Sequence, residues 1–209
     1  MTYPSRKGTT LVELLIYSAL LILILGAIFA SYGIARDYYS AAQIETQAQQ
    51  AALDAGLSVS QELNQACGKA LISSDTPSAL LFLSAKTDSG LFEHDATTGD
   101  LLWQRWVCIF LDTQDNQLLC LEEKLTPPTT TPPETIPSVD SMIQNSALPR
   151  RVLARHISEF SHQITGSSTV LFGVRSTLEP ARMPSGQSMP AGSNNATEMI
   201  LSTEVPIRQ

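Results

Sequence analysis

Hydrophobic and polar positions along this chain follow three successive patterns. From Leu14 to Ala35 the residues are apolar or small, with no charged side chain. At ~1.5 Å rise per residue, these 22 residues make a helix roughly 33 Å long, enough to cross a bilayer core. Beyond them the apolar positions thin out to Ile44, Ala48, Ala52, Ala55, Val59, Leu63 and Ala66. Steps of three and four are the helical period. Gln43, Gln47, Gln50 and Asp54 lie off that stripe. Prolines are absent between Ser5 and Thr76. One long helix is therefore predicted from about Thr10 to about Cys67, apolar all round at first and amphipathic later. Gly26, Gly33 and Gly56 are points where it is free to bend.

The third pattern is short and strand-like. Ala79–Ser84 is a brief apolar run. Leu101–Asp112 and Gln117–Glu123 flank the polar turn TQDN and predict a hairpin. Val170, Phe172 and Val174 alternate within Thr169–Thr177, and Met199, Leu201, Thr203, Val205 and Ile207 alternate toward the carboxyl end. Pro206 marks that last run as an edge strand or its tip. Val152–Ile164 fits either a kinked strand or a short helix. Residues 126–149 hold six of the twelve prolines. With 179–195, rich in Pro, Gly, Ser and Met, they predict two mobile or extended loops. For the Pro/Thr stretch a solvated spacer is the first reading, and a partner-contacting or glycosylated loop the second. The fold class is α+β: a long amino-terminal helix, membrane-spanning in its first half, packed on an antiparallel β-sheet head.

Charge narrows the picture. Lys+Arg is 13 and Asp+Glu is 20, a formal net charge of -7. An acidic chain without a basic block is a poor nucleic-acid binder, so no nucleic-acid partner is expected. Arg6 and Lys7 precede the apolar run, whereas Arg36 beyond it is offset by Asp37. That bias predicts a single-pass protein with a cytoplasmic amino terminus and an extracytoplasmic head. An ordinary secretory signal has a shorter apolar region and a small-x-small cleavage site. Neither it nor a plain anchor accounts for Glu13, because a carboxylate in an apolar span costs roughly 2.5–3.5 kcal/mol.

The run R-K-G-T-T-L-V-E-L-L, Arg6 to Leu15, resembles the cleavage and methylation site of type IV prepilins and type II secretion pseudopilins. The resemblance implies a leader of residues 1–8, cut after Gly8 by a prepilin peptidase, with Thr9 as the N-methylated new terminus. Phe is commonest at that position in the family. Glu13 becomes the fifth mature residue, where the family carries a glutamate. One helical turn from the freed amine, it is placed to neutralise that amine in its own chain or in a neighbour. Losing Arg6 and Lys7 moves the formal charge from -7 to -9. The expected organisation is a leader (1–8), a membrane or filament-core helix (9–36), its amphipathic continuation (37–67) and a β-rich pilin-like head (68–209). The carboxyl half, with its Trp-bearing strand, D-x-x-D-N turn, R-R-V-L-A-R-H-I-S-E-F segment and terminal V-P-I-R, resembles J-type minor pseudopilins and W-type minor pilins. This implies a minor subunit of a secretion pseudopilus or type IV pilus, near the filament tip. Its partners would be other pilin-like subunits and, before assembly, the inner membrane. The alternative is a membrane-anchored extracytoplasmic binding module outside any filament.

Candidate chemistry is sparse. A hairpin turn centred near Gln114 would set Cys108 opposite Cys120, so a cross-strand disulfide is the first choice. Three buried thiols, or a bond from Cys67, remain open. His94, His156 and His162 have no ligand spacing on a helix, although the last two would share one face of a strand. Glu93-His94-Asp95 reads as a solvated loop. Asn195-Ala196-Thr197 matches a glycosylation acceptor, an accidental match in a prepilin-like chain. No hydrolase, P-loop, zincin or calcium-loop motif is present. No catalytic residue, cofactor site or metal site is expected, and the chain reads as the substrate of an enzyme, not an enzyme.

Overall fold

A computed structural model describes residues 10–165, 169–178 and 197–206. The expected processing residues Gly8 and Thr9 and the loop 179–195 lie outside them. The chain divides into two units, Met1–Gln43 and Ile44–Gln209.

Helix α1 runs unbroken from Leu11 to Leu63. Gly26 and Gly33 do not interrupt it, and nothing crowds them. The helix starts at a capping box. Thr10 Oγ1 accepts from the Glu13 amide (3.4 Å), while a Glu13 carboxylate oxygen accepts from the Thr10 amide (2.8 Å). In the first unit every large apolar side chain from Leu11 to Tyr39 is exposed.

In the second unit the stripe at Ala48, Ala52, Ala55, Val59 and Leu63 is fully buried. Small side chains let the helix axis come close to a sheet. The predicted helix end at Cys67 needs correction: α1 stops at Leu63, and Ala66 and Cys67 open a strand. Ala66 keeps its place in the core, which is why it continued the helical stripe.

That strand, β1 (Ala66–Asp75), begins a five-stranded antiparallel meander. It continues through β2 (Ser78–Ser84), β3 (Trp103–Asp112) and β4 (Gln117–Thr129) to β5 (Arg150–Arg155). A second sheet holds β6 (Ile157–Thr165), β7 (Thr169–Leu178) and β8 (Thr197–Pro206). β8 is its edge strand, as Pro206 indicated. The ambiguous segment Val152–Ile164 is a kinked strand. His156 takes a φ of 62°, the left-handed region, and transfers the chain from one sheet to the other. Asn116 O accepts from the Ile157 amide at 3.0 Å, and His156 O from the Thr177 amide at 3.1 Å, pinning the corner. His156 and His162 therefore do not share one strand.

Strand parity sorts the side chains into two cores. Leu80 and Phe82, Val107 and Ile109, and Leu118 and Cys120 join Ala55, Val59 and Leu63 of α1 with Ile157, Phe160, Val170, Phe172 and Val174 of the second sheet. Their neighbours Ala79, Leu81, Leu83, Trp106, Cys108, Phe110, Leu119 and Leu121 form a second core on the other face. Val139 and Met142 cover that second face. They belong to α2 (Val139–Gln144), capped by the Ser138 hydroxyl, which accepts from the Ser141 amide. The Pro/Thr stretch is thus not solvated throughout: β4 extends through its first residues, and α2 anchors its far part.

Candidate functional site

Residues expected to carry function lie in separate places. In the first unit, Glu13 occupies the first turn of α1. One oxygen of its carboxylate also accepts from the Thr10 hydroxyl, at 3.1 Å. Its chemistry here is local, because it satisfies donors that a helix start leaves open. An acid also suits the positive end of a helix dipole. The pattern T-L-V-E from Thr10 is the sequence signal of this second role, and it lies inside the prepilin-like motif. From Leu11 to Tyr39 the helix offers apolar side chains on all sides, none of them buried. By length and composition it is a candidate membrane span.

In the second unit, the expected Cys108–Cys120 disulfide is not formed, and Cys67, Cys108 and Cys120 are all free thiols. The hairpin register explains this. Cys108 stands opposite Leu121, and Cys120 opposite Ile109. One residue out of register, the two side chains leave the sheet on opposite faces. Cys120 points into the core shared with α1, and Cys108 into the one beneath α2. Burial pushes both thiols up to about 12, so neither is a nucleophile near neutral pH.

A chain of charges borders the first core, unmarked by any sequence motif. Glu62, in the last turn of α1, is 5% exposed. Its Oε1 accepts from Arg151 Nη2 at 2.7 Å and lies 3.9 Å from Lys86 Nζ. Arg151 also lies 3.6 Å from Glu122 Oε1. Glu122 pairs with Arg105, which is 6% exposed. Asp88 approaches Arg105 at 3.8 Å and pairs with Lys124. The Lys124 hydrogen bond, aided by its charge and that of Arg105, holds the Asp88 carboxyl below its ordinary value. An acid in the last turn of a helix opposes the helix dipole, and Arg151 and Lys86 offset this.

A shallow cavity of about 320 Å³ opens beside this chain, walled in part by Lys86, Asp88, Glu93, Arg105 and Lys124. Its three cations face two carboxylates and are already paired, so the group reads as structural. Asp95 is held low by the Thr98 and Thr97 amides that it accepts. That places it in a loop turn, as expected for Glu93-His94-Asp95. Among the described residues no group of three or more His, Cys, Asp or Glu is placed to hold a metal ion. Burial lowers the pKa of His162, partly opposed by the Asp75 charge. Its ring contacts Phe160 with centroids 5.5 Å apart.

No family model, curated protein or solved structure matches the chain.

Proposed function

We propose that this chain is a minor pilin-like subunit, a pseudopilin of a type II secretion pseudopilus or a minor pilin of a type IV pilus. The observation that carries the reading is the exposed apolar surface of α1 from Leu11 to Tyr39, joined to an α+β head, preceded by R-K-G-T-T and carrying Glu13 in its first turn. Such a surface is stable in lipid or among other apolar helices, and costly in water. The subunit is held by this helix in the inner membrane with its head outside, trimmed after Gly8 and methylated at Thr9. Helix packing then draws it into the filament. The freed amine at Thr9 needs a counter-charge in that apolar setting, and Glu13 supplies it.

The test is intact mass and amino-terminal sequence after expression with and without a prepilin peptidase. A product beginning at Thr9 with one added methyl group supports the reading. A full-length product despite an active peptidase overturns it.

The capping box gives specific weight to the second reading, an anchored extracytoplasmic module, because it explains Glu13 without a filament. Glu13→Gln separates the two. A subunit with this change stays in the membrane and is lost from sheared filaments, whereas an anchored module is absent from sheared filaments with or without the change.

A further inference from the structure

We propose that the free edge of β5 docks an acidic, extended segment of a partner protein, which adds to the five-stranded sheet as a sixth strand. β5 ends the sheet order, so one side of its backbone has no strand partner among the described residues. A row of open N–H and C=O groups is a template for strand addition. The side chains on that strand select the charge of what binds. Arg150, Arg151 and Arg155 fall within six residues and are all exposed, in a chain whose net charge is -7. Arg150 is tied to Ile143 O (2.9 Å) and Arg151 to Glu62. Arg155 joins none of the ion pairs among the described residues. It borders a groove of about 270 Å³ between β5 and α1, with Leu153 and His156 on one wall and Gln47, Gln50 and the carboxylate of Asp54 on the other, so that Arg155 and the exposed Arg150, not the α1 wall, supply the positive charge. Side-chain amides there donate and accept, as an extended backbone requires. Val152, 42% exposed, adds an apolar contact on the edge.

Three arginines repel a basic strand. They also repel a second β5 edge, since antiparallel pairing of two copies would bring like charges together. Edge charges of this kind suppress indiscriminate sheet growth while admitting a strand of opposite sign. This inference rests on the second unit alone and holds whether or not the chain enters a filament.

The test uses the full chain in detergent micelles, with a capped peptide of alternating glutamate and valine as the probe. Hydrogen exchange is followed by mass spectrometry. Saturating peptide should slow exchange of the 150–155 amides by about tenfold. Arg155→Glu should abolish that protection while exchange of β3 and β4 stays as in the wild type. A matched lysine–valine peptide should give none. No slowing at 150–155, equal slowing by both peptides, protection at β1 or β8 instead, or self-association through β5 would each overturn the proposal.

Discussion

Arg151→Ala should destabilise the head through a group it leaves behind. The buried Glu62 carboxylate would lose its 2.7 Å donor and keep only Lys86 at 3.9 Å. Breaking a fully buried pair costs about 3–5 kcal/mol, and breaking an exposed one about 0.2–1 kcal/mol. The Arg151 side chain is 50% exposed while that of Glu62 is 6% exposed, so the pair lies between these limits. Solvent screens the arginine end, and a loss of about 2 kcal/mol follows. Glu122 contributes little to that loss, because it retains Arg105. For a chain of this size each kcal/mol moves Tm by about 2–4 °C, so Tm should fall by about 4–8 °C. Adding Glu62→Gln should recover about half of the loss, since the stranded charge is then gone and the acid no longer opposes the helix dipole. Chemical denaturation of the full chain in micelles, followed by tryptophan fluorescence, measures the wild type and both variants. Trp103 and Trp106 are both buried and report the transition. The reasoning fails if Arg151→Ala lies within about 0.5 kcal/mol of wild type. It fails equally if the double variant is less stable than Arg151→Ala alone.

Two further outcomes follow from the cores. Cys108 and Cys120 should resist iodoacetamide at pH 8 in the folded chain and react after denaturation, since burial holds both thiols near 12. Mass spectrometry reads the adducts, and an intact mass two hydrogens light would contradict the three free thiols. His162 should make stability fall as pH drops below its unfolded value of about 6.5, because burial lowers its folded pKa and the unfolded chain then binds protons more readily. Above that value the ring is neutral in both states and contributes no slope. Comparing urea midpoints of the wild type and His162→Leu between pH 7 and pH 5 isolates the effect, which should be smaller in the variant.

Much of the fold was legible in the chain because its periods are clean. The stripe from Ala48 to Leu63 and the alternation at Val170, Phe172 and Val174 both report burial directly. β1 was missed because its opening residues extend the helical spacing. Only the Cα geometry distinguishes Ala66 as a strand residue from Ala66 as one more helical position. The disulfide expectation failed for a subtler reason. Centring the turn on Gln114 fixes a register, but the turn spans Thr113 to Asn116, with Asn116 at a φ of 51°. Half a residue in the centre of a turn decides which face every following side chain takes. The charge chain through Glu62, Arg151, Glu122 and Arg105 left no local mark, because its members meet only when four elements come together. Glu13 was noticed for one role and has a second that uses its neighbour Thr10.

The two-faced sheet constrains how this chain can change in length. Adding or deleting one residue inside β3 or β4 would move every later side chain of that strand to the opposite face. In β3, tryptophan and phenylalanine would then face the tight surface against α1, and aliphatic residues would be left beneath α2. No gradual adjustment connects the two arrangements, so single-residue insertions there are close to all-or-none in effect. Among the described residues, length variation has room where parity is not read: the stretch from Ala85 to Leu102, which carries only isolated bridges, and the segment between β4 and α2. Relatives of this protein should therefore align without gaps across the hairpin and differ in length in those two places.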